Sequence, residues 1–227
     1  MNARSSNHVD DALATQRRYY DLRAPDYMNP AAPSSRRGTD VFGESAARTV
    51  VDELAPRGDV LELACGPGGF TAELVRHAAT VTAVDASEQM LARNRAEVGA
   101  SNVTYVHADL FDWRPDRTYG VVFFGFWLSH VPPARFDEFW QLVRRCVGDG
   151  GRVAFVDEDE RGKHSDDVRI VDGVPLARRS LGDGRELDVV KLFWNADELT
   201  DRLRAIGWSF DIRLVGDVFM YGVGAPA

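Results

Sequence analysis

The chain is expected to fold as an α/β protein around a doubly wound, mostly parallel seven-stranded sheet with helices on both faces. An N-terminal helical lid and a small antiparallel insertion after the fifth strand complete the expected architecture. Three observations carry this reading. Short, wholly apolar segments alternate with stretches of helical period, the signature of strands buried on both faces. A glycine-rich turn follows the first such segment directly. The last third changes to short strand-like runs separated by Asp-Gly and Gly-Asp-Gly turn signals.

Taken in order, residues 1 to about 10 are polar and read as a disordered tail, followed by helical spacing from Asp11 to Tyr27 that Pro25 interrupts. Residues 29 to 39 are rich in Pro and Ser and read as a loop. A helix is expected from about Gly43 to Leu54, closed by Pro56 and Gly58. Strands follow at Asp59–Leu63, Thr80–Val84, Val103–Val106, Gly120–Phe124 and Arg152–Val156. Helices are expected between them at Phe70–His77, Ser87–Val98 and Pro133–Cys146, with a turn at Gly148–Gly151. The insertion comprises Val168–Val171, Val174–Ser180 and Arg185–Leu192. A helix from Ala196 to Ile206, with Asn195 as N-cap and Gly207 as stop, precedes strands at Ser209–Leu214 and Val218–Val223. The whole chain, 1–227, reads as one domain: tail and lid over 1–42, core over 43–158, insertion over 160–194, and closing helix and strands over 195–227.

Bulk properties narrow the function. The 27 Lys and Arg stand against 35 Asp and Glu, a formal net charge of -8. A nucleic-acid partner is not expected from that balance. No apolar run approaches a membrane span, and the polar N-terminus carries no signal-like segment. Cys65 and Cys146 form no disulfide framework. A cytoplasmic protein, monomeric or homodimeric and without a membrane partner, is the expectation.

The segment Val60-Leu61-Glu62-Leu63-Ala64-Cys65-Gly66-Pro67-Gly68-Gly69 places a glycine turn between a buried strand and a helix. There the backbone can approach a ligand closely and offer it helix N–H groups. Asp85 ends the next strand, 19 residues after Gly66. A carboxylate there can accept from both hydroxyls of a ribose. Thr71 stands where a dinucleotide fingerprint has its third glycine. Glu62 lies within the first strand, near the expected amino-acid end of an S-adenosylmethionine molecule.

On these residues the chain resembles the class I S-adenosylmethionine-dependent methyltransferases of small-molecule type. Glu62-Leu63-Ala64-Cys65-Gly66-Pro67-Gly68 looks like their first motif and Val84-Asp85-Ala86-Ser87 like their second. The resemblance covers residues 20 to about 156 and implies S-adenosyl-L-methionine as cofactor. It implies that Asp109 holds the adenine amino group while Leu110 and Phe111 line the ring. Ala64, Gly66, Pro67, Gly68, Ala86, Met90 and Gly125 join the same expected site. Tyr20-Asp21-Leu22-Arg23-Ala24-Pro25-Asp26-Tyr27 resembles a cofactor-covering element, in which Tyr20, Arg23 and Tyr27 would face the sulfonium and the methionine carboxylate.

His130, just past the fourth strand, is the candidate general base, and Tyr20 of the covering element is a second catalytic candidate. The fourth strand ends in Gly125-Phe126-Trp127, without the Asp/Asn/Ser-Pro-Pro-Tyr/Phe element that DNA and protein-amide methyltransferases resemble one another in. It also lacks the aspartate of the metal-dependent catechol enzymes, so no metal is expected. Phe126, Trp127, Phe193 and Trp194, with His130, are the expected acceptor-binding residues. They point to a small aromatic or heterocyclic metabolite methylated on O, N or C. A peptide or protein acceptor, an NAD(P)-dependent oxidoreductase and a non-catalytic cofactor-binding module remain as alternatives.

Overall fold

In the computed structural model, residues 3–27 and 39–227 are described. Helix α1 (Ala3–Arg23) passes through a short 3-10 turn, Ala24–Asp26, and α2 (Thr39–Leu54) leads into the sheet. Then come β1 (Asp59–Leu63), α3 (Gly69–Leu74), β2 (Thr80–Asp85), α4 (Glu88–Val98), β3 (Val103–His107) and β4 (Tyr119–Gly125). A 3-10 turn at Leu128–His130 and another at Pro133–Arg135 precede α5 (Phe136–Cys146) and β5 (Val147–Glu158). The insertion is β6 (Val168–Val171), β7 (Val174–Ser180) and β8 (Glu186–Val190). The chain closes with α6 (Ala196–Ala205), β9 (Trp208–Val215) and β10 (Phe219–Pro226).

The main sheet has seven strands in the order β3-β2-β1-β4-β5-β10-β9, and β6-β7-β8 form a separate three-stranded sheet. Pairs among β1 to β5 are parallel, and β10 pairs antiparallel with both β5 and β9. Alternate residues of the central strands feed two cores. Leu61, Leu63, Val122 and Phe124 face the larger cluster with α5. Val60, Val121 and Phe123 face the smaller one with α2 and α3. The strands therefore read as continuous apolar runs because each face is buried.

Two expectations need correction. The tail expected over residues 1 to 10 is helical from Ala3 onward. Val9 and Leu13 are buried in the larger core, and Gln16, Tyr19 and Arg23 continue the inward stripe. The three- and four-residue spacing is helical, but too few of these residues are apolar for the stripe to stand out in the sequence. The second correction is at Gly148–Gly151, where β5 begins already at Val147. Its partner register on β4 shifts between Tyr119 and Val121, so the glycines form an irregularity within the strand. The loop expected over 29–39 lies outside the described residues, except that Thr39 begins α2. Asn195 does cap α6, its side chain accepting from the backbone of Asp197 and Glu198. Among the described residues no helix is long and apolar enough to cross a membrane.

Candidate active site

The chain leaves β1 toward β2 and β3, and leaves β4 toward β5. The sheet therefore opens a crevice at the carboxyl ends of β1 and β4, where open α/β sheets bind ligands. Both strands stop abruptly. Ala64 and Phe126 adopt left-handed backbone, with φ of 52° and 55°, a strain that persists mostly at functional sites. Gly68 has φ of 105°, and a Cβ there would sit 2.9 Å from the Asn94 side chain, so only glycine lets the turn close onto α4.

Asp85 holds this turn. One carboxylate oxygen accepts from the Gly66 amide and the other from the Ser87 amide, each at 2.8 Å. Each oxygen keeps a lone pair, which suits it to ribose hydroxyls. Burial raises the Asp85 pKa, and the backbone donors at Ser87 and Gly66 oppose that rise. Ser87 caps α4 by accepting from the Met90 amide at 3.1 Å. Glu62 is buried, and its carboxyl accepts from Thr71 Oγ1 at 2.6 Å. Asn94 donates in turn to Thr71 Oγ1 at 2.8 Å and to the Gly66 carbonyl at 3.2 Å, and Tyr105 donates to Asn94 at 3.0 Å. This directional chain braces the glycine turn from beneath. Burial pushes Glu62 up to about 8, with the Thr71 hydrogen bond opposing and the Asp85 charge reinforcing.

Next along the edge, Asp109 accepts from its own loop at Phe111 N, 2.9 Å away, and from Arg17 of α1. Leu110 and Phe111 are buried in the larger core. The Ala86 carbonyl accepts from His107. Arg17 on Asp109, Ser87 on Asp21 and Arg93 on the carbonyls of Ala24 and Pro25 lay α1 and its 3-10 turn across this side of the site. Pro67 lies within the glycine turn and Gly125 ends β4, where a Cβ would run into the Phe70 ring.

The other side of the site is assembled from distant parts of the chain. His130 Nδ1 lies 2.6 Å from the Val190 carbonyl and Nε2 lies 2.9 Å from the Tyr20 hydroxyl. A carbonyl only accepts, so Nδ1 carries the proton and Tyr20 donates to Nε2. Burial lowers the His130 pKa well below its ordinary value, and the positive charge of Lys191 adds to this, with Arg179 and Arg23. Burial likewise raises Tyr20. The imidazole is neutral, and its one acceptor nitrogen already receives the Tyr20 proton. In this arrangement Tyr20 is not the donor that a methionine carboxylate needs.

Of the cations near this pair, sequence reasoning selected Arg23, as a cofactor residue, but not Lys191 or Arg179. Lys191 is buried, pairs with Glu158 and lies 3.3 Å from Ser129 Oγ. Arg179 is buried against Asp166. The guanidinium of Arg23 is 4.2 Å from the centre of the Tyr27 ring and 5.9 Å from that of Tyr19. The Ser129 amide donates to Asp157 at 2.8 Å, fixing the turn that carries His130 to the end of β5. The signal available in the sequence was slight: isolated basic residues in a strand pattern that is otherwise half apolar.

The aromatic residues expected around an acceptor have other partners. Phe126 lies against Phe70 and Phe219 in the smaller core. Trp127 contacts Phe111 and Phe139. Trp194 packs on Phe136, 5.3 Å between ring centres, and Trp140 is fully buried. Phe193 lies under the Lys191 ammonium at 4.7 Å. Among the described residues, Tyr20 is the expected aromatic side chain that bonds directly to His130.

The donor set fits S-adenosylmethionine: a carboxylate with lone pairs for a ribose, a second one at the next strand end, and a positive-φ glycine turn between strand and helix. Comparison with known proteins agrees. A methyltransferase-domain family profile matches residues 60–151. The chain is 39% identical to DhpI in its complex with SAH, covering 95% of this chain and 97% of that one with a TM-score of 0.80. The DhpI-SAM-HEP complex gives 40% identity, 95% and 98% coverage and a TM-score of 0.81. Trans-aconitate 2-methyltransferase of Escherichia coli (strain SE11) is 30% identical over 119 residues, 52% of this chain and 43% of that protein. The match thus spans less than half the length of these curated relatives. The glycine turn, Asp85, the seven-stranded order and these similarities together place the chain in the class I S-adenosylmethionine-dependent methyltransferases.

Proposed function

We propose that the chain transfers a methyl group from S-adenosylmethionine to an oxygen of a small acidic metabolite. One observation carries this reading. The Tyr20–His130 pair at the crevice is faced by the charges of Lys191, Arg179 and Arg23, all of them buried. Buried ion pairs are poor stabilisers, and apolar side chains of similar volume often do as well or better. Lys191 and Arg179 are held in such pairs with Glu158 and Asp166, and Arg23 lies over the Tyr27 ring; an acid received at this spot would account for keeping three cations there. The acid named in the curated relatives, trans-aconitate, supports the same class. The four rings that suggested an aromatic acceptor, Phe126, Trp127, Phe193 and Trp194, are half-buried, and an aromatic acid would still satisfy both the rings and the cations.

Bound S-adenosylmethionine supplies an electrophilic methyl carbon, and its sulfur keeps the bonding electron pair as the neutral thioether. Lys191 and Arg179 would hold the acid with one oxygen free to attack, and alignment supplies most of the rate. An acid that enters ionised brings its own nucleophilic lone pair, so no proton need be removed. His130 then has no base to act as, which agrees with its acceptor nitrogen being engaged by Tyr20. Asp85 and the glycine turn would orient the cofactor, with Asp109 released from Arg17 to meet the adenine.

The test uses methyl-labelled cofactor with trans-aconitate and other small di- and tricarboxylates as acceptors, and phenols as controls. The product is expected to be a methyl ester, releasing labelled methanol on mild alkaline treatment. Label transferred to phenols alone, in an alkali-stable form, would overturn the reading.

A further inference from the structure

We propose that Gln16 is a positioning residue for the transfer, acting through Val190 and His130 to fix how Tyr20 presents its hydroxyl. The inference rests on the function proposed above, and its first test does not depend on that function.

Strand β8 lies at the edge of the three-stranded sheet, so its outward backbone groups have no strand partner among the described residues. Exposed edges are normally covered or blunted. Here two side chains take the place of a strand at Val190. Gln16 Oε1 accepts from the Val190 amide at 3.1 Å, and His130 Nδ1 donates to the Val190 carbonyl at 2.6 Å. The Gln16 amide group then donates to the backbone carbonyl of His130 at 3.2 Å. Gln16 is 2% exposed. Both ends of its amide are satisfied, as a buried polar group requires.

Gln16 and Tyr20 lie one turn apart on α1 and so share a face. One end of that face holds the backbone of the His130 turn and the edge of β8, and the other holds the imidazole through Tyr20. Because Val190 is locked by Gln16, its carbonyl is aimed at His130 Nδ1. That keeps the proton on Nδ1 and leaves Nε2 bare. Tyr20 must then give its only proton to Nε2. Its oxygen therefore meets the incoming groups with lone pairs, as an acceptor.

The experiment is nitrogen-15 NMR of the histidine side chains in the full chain, with His130 assigned by its loss in H130A. His130 is expected as the neutral Nδ1–H tautomer. A protonated Nε2 in the wild-type chain would overturn the proposal without any variant. In Q16L, which loses the hold on Val190, a mixture of tautomers is expected, whereas Q16E, which still accepts from the Val190 amide, should keep the Nδ1–H form. With an acid that proves to be a substrate, the kcat of Q16L should fall about tenfold while S-adenosylhomocysteine affinity stays within about threefold. A folded Q16L that keeps the single Nδ1–H tautomer would show that Gln16 merely packs. If no acid is methylated but the tautomer behaves as described, the proposed substrate class fails and the positioning role stands.

Discussion

The two halves of the site are built by different means. The cofactor half is local: Glu62, Gly66, Gly68 and Asp85 lie within one strand–turn–helix–strand unit, and Asp85 reaches Gly66 across 19 residues. The proposed acceptor half is assembled across the chain, with separations of 110 residues for Tyr20–His130, 60 for His130–Val190 and 174 for Gln16–Val190. A local unit fixes its geometry through backbone conformation, glycine placement and capping. A dispersed one depends on α1, the turn after β4 and the insertion all docking together. Substitutions should therefore separate the halves, and their expected effects can be ranked.

The largest effect is expected at the buried pair of the acceptor half. Lys191→Met leaves Glu158 charged and buried without its partner, a loss of about 3–5 kcal/mol. Urea unfolding should show a lower midpoint, and adding Glu158→Gln should restore most of it. A stable K191M with full turnover on acids would break the assignment of this half. In the cofactor half, Asp85→Ala removes the carboxylate that organises Gly66 and Ser87 as well as the expected ribose contacts. S-adenosylhomocysteine affinity should drop by about 2–4 kcal/mol. The melting temperature should change far less than for K191M. Calorimetric titration reads this directly, and unchanged affinity would move the ribose elsewhere.

Glu62 gives a smaller, pH-dependent signature. Its folded-state pKa is pushed up to about 8, above the ordinary carboxylate value. The folded chain therefore holds a proton that the unfolded chain releases, and this contribution to stability is lost as pH rises through about 8. Glu62→Gln, which still accepts from Thr71, should nearly match the wild type below pH 5, exceed it progressively as pH rises to about 8, and hold that advantage at pH 9. Identical pH profiles of unfolding would show that Glu62 stays ionised. The smallest effect belongs to Arg17→Ala. Its pair with Asp109 is partly exposed, so stability should change by less than about 1 kcal/mol. Cofactor affinity should stay level or rise slightly as Asp109 is released, and a clear fall would make Arg17 a cofactor contact.

The same division explains what could be read from the sequence. The positions of the strands, the glycine turn, Asp85 and the Asn195 cap follow from local patterns, because apolar runs, φ-demanding glycines and capping side chains announce themselves within a few residues. The beginning of α1 did not. Val9, Leu13 and Gln16 form its inward stripe, but Ser5, Ser6, Asn7 and His8 dilute the apolar signal, and docking on the core supplies what propensity lacks. At Gly148–Gly151, a glycine-rich run that reads as a turn sits within β5, where the register shift on β4 accommodates it. The acceptor half was harder still. His130 and Tyr20 were legible as candidates, whereas Lys191, Arg179 and Gln16 became visible only once the insertion folded back onto α1. Of the aromatic residues near the strand ends, Phe126, Trp127 and Trp194 pack half-buried against the cores, while Phe193 lies by Lys191.

The most direct test of the central claim is calorimetric titration of the S-adenosylhomocysteine-loaded protein with trans-aconitate and, separately, with its neutral trimethyl ester. The account predicts saturable binding of the anion, weakened by added salt, and no measurable binding of the ester. Equal binding of both, or binding of the ester alone, would contradict a site built from Lys191, Arg179 and Arg23 to receive an acid.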